Sequence, residues 1–288
     1  MKIEQNLMSF TNASGAQTGY IDLARALSAV NGKSIAQTKR SDGKYKPLGF
    51  VVRVRSLVGD IVVQALNCGY PTRNAVVLAG AARDAMLKSA GISRSNLESY
   101  QKELRITMES GMDGGGTNMF FPQATDVGTS AGGMGHTVTY DYTKLVINRP
   151  DDAADGITKS LSMIGTQSTL EDDWDADSKF YVVDNWLKFR HSFTPSATAD
   201  DIANNVFSWA MQQGETAGDI IDMIDDSQDD KPYDLEEFTL TDSFQNTIVG
   251  TGVGNPTSET FVAPLGLLKV FCTGTAQWNV EVLGVTEL

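Results

Sequence analysis

The sequence predicts a mainly β protein made of two tandem jelly-roll β-sandwich domains, each with a helical insert between strands. Three observations lead there. Apolar runs of strand length alternate with glycine-rich turns through most of the 288 residues, which include 27 glycines. A helix–glycine–helix stretch interrupts the strands at Thr72–Met108, and a second one does so at Thr198–Thr241. The strand blocks on either side of the two inserts are similarly spaced. Between them, Arg149-Pro-Asp-Asp-Ala-Ala-Asp-Gly has the composition of a linker. The expected division is therefore an N-terminal roll with an N-terminal arm over 1–149 and a C-terminal roll over 150–288. One large irregular β protein with two helical flaps is the alternative architecture.

Taken in order, residues 1–19 are polar and read as an extended arm. Ile21–Val30 suits either strand or helix, because its partial alternation is made of helix-favouring Leu, Ala and Arg. Ser41-Asp-Gly-Lys is a hairpin turn. In the strand that follows, Phe50, Val52 and Val54 point to a core, while Val51, Arg53 and Arg55 point away. Gly59-Asp60 turns the chain into Ile61–Leu66, and Pro71 closes this strand block. In the first insert Ala75, Leu78, Ala82, Ala85 and Ser89 fall at helical spacing, with Arg83, Asp84 and Lys88 off that stripe. The stripe predicts close packing against the sandwich, so Ala82→Trp should block assembly. Gly91 ends the helix, and Ser95 with Glu98 is spaced as a capping box for the next. Leu104–Thr107 is a short strand.

Glycine clusters at 111–116 and 128–135 then read as long loops, and Thr137–Asn148 as a long strand. The second half predicts strands at Ser160–Ile164, Lys179–Val183 and Trp186–Phe189. A helix with Ile202, Val206, Trp209 and Ala210 on its apolar face follows. Strands at Phe261–Phe271 and Trp278–Val285 close the chain.

Charge is distributed unevenly. The net is −13, yet residues 1–149 carry 17 basic and 11 acidic groups while the remainder carries 6 and 25. Such polarity suits head-to-tail packing of unlike surfaces, and the overall acidity excludes a protein coated in nucleic acid. No apolar run approaches the roughly 20 residues of a bilayer-spanning helix, and MKIEQNLMSF lacks the apolar centre of an export signal. Synthesis in a cytoplasm is the expectation, with Cys68 and Cys272 as reduced, buried thiols and a disulfide between them as the alternative.

Motifs that carry chemistry are few. Asn31-Gly-Lys-Ser imitates the end of a phosphate-binding loop, but Leu27 stands where its first glycine is required. His136 and His191 have no neighbours at metal-ligand spacing, and no GxSxG elbow accompanies them. No catalytic residue and no cofactor is assigned, and the chain is expected not to be an enzyme. The exception is an acidic loop in which Asp173, Asp175 and Asp177 alternate as in a calcium loop, with Asp184 at the twelfth position. Ser178 replaces the glycine of position six and a strand replaces the exiting helix. The loop is a candidate structural calcium site beside the plainer reading of a solvated turn.

Tandem β halves of about 140 residues, each with a helical insert, together with the closing strands Phe261–Phe271 and Trp278–Val285, resemble the double jelly-roll major capsid proteins of tailless icosahedral viruses, chiefly bacterial ones. The resemblance covers the whole chain and is architectural. It implies a homotrimer of pseudo-hexagonal outline tiling an icosahedral shell in the virion, made in the host cytoplasm. It also implies penton or minor capsid proteins as neighbours, and in some cases an internal membrane. Sequence-specific nucleic-acid binding is not implied, and Lys2 as the arm's only basic residue makes the arm a poor genome binder. The competing function is a carbohydrate-binding or adhesive β-sandwich module without catalysis. It would use exposed aromatics, for which Trp174, Trp186, Trp209 and Trp278 are the candidates.

Overall fold

The computed structural model describes residues 4–13, 15–113, 118–123, 141–147, 157–167, 178–186, 244–249, 251–252 and 255–288. The protein is mainly β, and its principal body is two antiparallel sheets packed face to face. The first contains β1 (Leu7–Asn12), β4 (Lys44–Val58), β12 (Ser258–Pro264) and β14 (Ala276–Glu287), in the order β1-β14-β4-β12. A short β3 (Thr38–Ser41) pairs with the start of β4. The second sheet contains β2 (Gln17–Asp22), β5 (Ile61–Leu66), β9 (Phe244–Val249) and β13 (Leu267–Cys272), in the order β2-β13-β5-β9.

Period-two alternation explains why these segments are strands. In β4 Phe50, Val52 and Val54 are fully buried while Arg53 and Arg55 are exposed, as the sequence predicts. β14 buries Ala276, Trp278, Val280 and Val282, and a register shift between Val282 and Gly284 ends the alternation. The inward residues of both sheets, among them Phe10, Phe50, Trp278 and Val280 from one and Ile21, Ile61, Val63 and Val270 from the other, form one continuous core. Each large apolar side chain taken fully from water contributes about 1.5–3 kcal/mol. The hairpin at Ser41–Lys44 forms as expected, with Asp42 and Gly43 both at positive φ.

Pairing between the chain's two ends corrects the expected division. β1 lies beside β14, β2 beside β13, and β4 between β14 and β12. Strands of 7–66 and strands of 258–287 thus alternate within the same two sheets, so no boundary at 149/150 separates one set from the other. Any second unit has to lie between β5 and β9, within residues 67–243. The physical reason is that β14 is apolar on its core face and needs a hydrogen-bonded neighbour at each edge, which β1 and β4 supply. Likewise, the expected N-terminal arm is not free: residues 7–12 and 17–22 are strands, and the amides of Glu4 and Gln5 donate to Asn31 Oδ1.

Ile21–Val30 resolves into the end of β2 followed by helix α1 (Leu23–Asn31). Asp22 caps it by accepting from the Arg25 amide at 3.0 Å, and Gly32 ends it at φ 60°. Helix α2 (Tyr70–Ser89) begins with Pro71 in its first turn. Its buried face is Thr72, Ala75, Val76, Ala79, Gly80 and Arg83, which is rotated from the predicted stripe. Ala85 and Ser89 are exposed and Ala82 sits at the flank, partly buried against the second core. The rotation follows from two contacts that a hydrophobic pattern does not show. Gly80 takes the ring of Tyr45, and Arg83 reaches the carbonyls of Gln101 and Glu103. The Ser95–Glu98 capping box does not form. Ser93 caps a single 3-10 turn at Arg94–Asn96, and the Glu98 amide donates to Gln101 Oε1 before the short helix α3 (Ser99–Lys102).

A second core lies under α2. Leu104, Ile106 and Met108 fill it with Tyr142, Leu161 and Met163. They come from a three-stranded sheet of β6 (Lys144–Ile147), β7 (Ile157–Ser162) and β8 (Lys179–Tyr181), and from residues 104–108 running beside β7. Residues 182–186 are helical, which places a helix where the predicted strand at Trp186 would begin. The two-residue strands β10 (Thr251–Gly252) and β11 (Asn255–Pro256) make a small hairpin before β12. The second helical insert, the glycine cluster at 128–135 and the linker at 149–156 lie outside the described residues.

Segment 118–123 crosses from one sheet to the other. Tyr20 and Phe120 exchange hydrogen bonds with Asn118 and Tyr20, and the Gln123 amide donates to the Ser9 carbonyl at 2.8 Å. Edge strands β2 and β1 are both partly covered as a result. Phe120 enters the sandwich core edge-to-face with Trp278, at 5.0 Å between ring centroids.

Candidate functional site

Where the β3–β4 hairpin meets the end of β14 and the segment 94–103, a cavity of about 530 Å³ opens at the surface. Lys39, Arg40, Arg94, Lys102, Glu103 and Glu287 are its charged lining. Hairpin register places Lys39 opposite Lys46 and Arg40 opposite Tyr45. Both lysines consequently reach Glu287 of β14, Lys46 at 2.6 Å and Lys39 at 3.2 Å. These contacts hold the Glu287 carboxyl below its ordinary range and raise Lys46 above its own.

A second carboxylate is shared in the same way. Asp84 on α2 accepts from Arg40 at 2.9 Å and faces Arg94 at 3.5 Å. Tyr45 fixes both guanidinium groups, which lie 5.8 Å and 4.9 Å from its ring centroid, and its hydroxyl accepts from Arg94. Glu103 takes the Ser34 hydroxyl on one oxygen at 2.8 Å and faces Arg105 with the other at 3.6 Å. Burial raises its carboxyl above the ordinary value. Lys102 has no acidic partner among the described residues. The lining is therefore an array of cationic donors, partly neutralised by shared carboxylates, suited to holding an anion.

Two buried polar clusters join the sandwich to the insertion. Asp22 is wholly enclosed and accepts from the Arg25 amide, from Gln37 at 3.1 Å and from the Tyr142 hydroxyl at 3.2 Å. Desolvation lifts its carboxyl to about 6 against these hydrogen bonds, which pull it down. Gln37 in turn accepts from the Ile106 amide at 2.7 Å. The second cluster is Glu109, which accepts from the Tyr20 hydroxyl and pairs with Lys269 at 2.8 Å. Burial, then Glu109, pushes the Tyr20 hydroxyl well up. Both clusters use residues far apart in sequence, and neither follows a motif.

Of the residues singled out from sequence, Asp173, Asp175 and Asp177 lie outside the described residues, as do His136 and His191. Asp184 is described, and it is buried with Oδ2 accepting from the Gln167 amide at 3.0 Å, closing a loop. No group of three metal-ligating side chains occurs among the described residues. Asn31-Gly-Lys-Ser is the end of α1 and its cap. Cys272 is buried in the sandwich core and Cys68 is half-buried; both are free, and burial pushes the Cys272 thiol up to about 11. Trp186 and Trp278 are buried, while Trp174 and Trp209 lie outside the described residues.

The cavity was not predicted. The signal that could have marked it is a charge run: residues 31–55 hold seven Lys and Arg against one Asp, within a chain of net charge −13. Among protein-family models, curated proteins and solved structures, none matches this chain.

Proposed function

We propose that the chain is a shell-forming viral capsid subunit whose sandwich is a jelly roll. One observation carries this reading. Eight strands pair as a long antiparallel ribbon rolled on itself: β1 with β14, β2 with β13, β4 with β12 and β5 with β9. The further pairs β14–β4 and β13–β5 complete two four-stranded sheets. That is the order a jelly roll requires, and jelly rolls serve viral capsids, lectins and cupins.

Two observations favour capsid use over a sugar-binding module. Leu7, Leu57 and Leu283 of the first sheet and Phe271 of the second are exposed, each between 41% and 49%, where neighbouring subunits could cover them. Trp186 and Trp278, two candidates for a sugar platform, are spent in the cores.

The test is the mass and outline of the purified full chain, by light scattering and negative-stain microscopy. Trimers, larger capsomers or closed particles of megadalton mass are expected. A stable monomer across micromolar concentrations, or one that is retained on a glycan array, would overturn the proposal.

A further inference from the structure

We propose that the cavity between the β3–β4 hairpin, the end of β14 and the segment 94–103 binds a phosphate-bearing anion. The argument is one of incomplete neutralisation. Glu287 is shared by Lys39 and Lys46, and Asp84 by Arg40 and Arg94. Glu103 faces Arg105, and Lys102 has no acidic partner among the described residues. Asp42 of the hairpin turn also acts on Lys46. Six cations at or beside the cavity thus face four carboxylates, leaving a surplus of two positive charges on a protein that is acidic overall.

Cations brought together in a partly enclosed space repel one another, and that cost is relieved by an anion. The arrangement is also built rather than incidental. Tyr45 is 98% buried and holds two guanidinium groups, one from the hairpin and one from the 94–96 turn. Arg94 further donates to the Lys102 carbonyl at 2.9 Å, tying the turn to the end of α3. Forked guanidinium donors beside mobile ammonium groups are the chemistry that recognises phosphate oxygens. Tyr45 itself is too buried to stack on a base, so the contacts would be to phosphate and independent of base sequence. The source is either a single-stranded polynucleotide backbone or a free phosphate compound, and these separate experimentally.

The full chain would be titrated with fluorescein-labelled dT20 by anisotropy, and with pyrophosphate by calorimetry, from 50 to 200 mM salt. If the backbone is the ligand, dT20 binds and log K falls with log salt at a slope of about −1.4, the value for two neutralised phosphates on a single strand. Lys102→Glu and Lys39→Glu should each weaken binding about tenfold or more, whereas Arg73→Glu at the opposite, N-terminal end of α2 should not. Lys39 is 61% exposed on its side chain, so that variant tests the site without loss of packing. Pyrophosphate binding with the same sensitivity, and no dT20 binding, assigns the site to a free phosphate compound. Failure of both probes, or binding indifferent to both variants, overturns the proposal.

Discussion

Gly80 of α2 lies flat against the ring of Tyr45. A Cβ built at Gly80 would stand 2.2 Å from Tyr45 Cδ2 and 2.9 Å from its Cβ. Contact with the root of the side chain means that Tyr45 cannot swing clear by rotating its ring. Gly80→Ala, ordinarily favourable in a helix, should therefore destabilise the protein by about 1–3 kcal/mol. Urea denaturation would read this as a lower midpoint. An unchanged or raised midpoint would mean that α2 does not approach β4 this closely.

Arg83, one turn further on, is buried and donates to the carbonyls of Gln101, Lys102 and Glu103. Removing it leaves buried acceptors without donors, each at about 1–3 kcal/mol. Arg83→Met should cost about 3 kcal/mol or more in urea denaturation. Arg83→Lys should restore less than half of that, because an ammonium group lacks the planar fork that spans adjacent carbonyls.

Phe120 holds segment 118–123 against both edge strands. Phe120→Ala should cost about 3–5 kcal/mol, the usual range for a buried aromatic. It should also free the crossing segment. Native-state hydrogen exchange is the sharper measurement, since the Tyr20, Phe120 and Gln123 amides all donate across that seam. Their exchange should accelerate at least about tenfold, with the amides between β4 and β14 little changed.

Asp22 makes stability depend on pH. Its folded carboxyl is raised to about 6, so the folded state holds the proton more tightly than the unfolded one. The contribution is fully present below the ordinary carboxylate range and is lost as pH rises through about 6. Wild type minus Asp22→Asn stability should thus fall by about 2 kcal/mol between pH 4 and pH 7. Paired urea titrations at intervals of one pH unit measure it. A difference that is flat, or that grows with pH, would show that the hydrogen bonds from Arg25, Gln37 and Tyr142 outweigh desolvation.

How much of this was legible in the chain depends on the range of the interaction. The Asp42-Gly43 turn, the alternation in Phe50–Arg55, the extent of α2 and the strands at the end of the chain are local patterns, and each stands in the fold. Pairing partners are another matter. Nothing near Leu7 or Trp278 says that β1 and β14 are neighbours, so a repeat of helical inserts suggested two separate halves. The rotation of α2 was hidden because glycine and arginine are poor markers of a buried face, yet Gly80 and Arg83 are its closest contacts. The cavity and the Asp22 cluster escaped for the same reason. Residues 22, 37 and 142 meet only after the chain has closed.

The pairing of β14 between β1 and β4 also sets a timetable. Residues 276–287 are the last of the described strands to leave the ribosome, yet they occupy an interior position of the first sheet. Until they emerge, β1 has no partner in that sheet and the core around Trp278 stays open. Long-range pairing of this kind is slow to form and leaves strand edges exposed while it waits. A chain truncated before β14 lacks an interior strand of that sheet. Arrival of residues 276–287 is thus the event that pairs β1, closes the core around Trp278 and removes the open edge of β4.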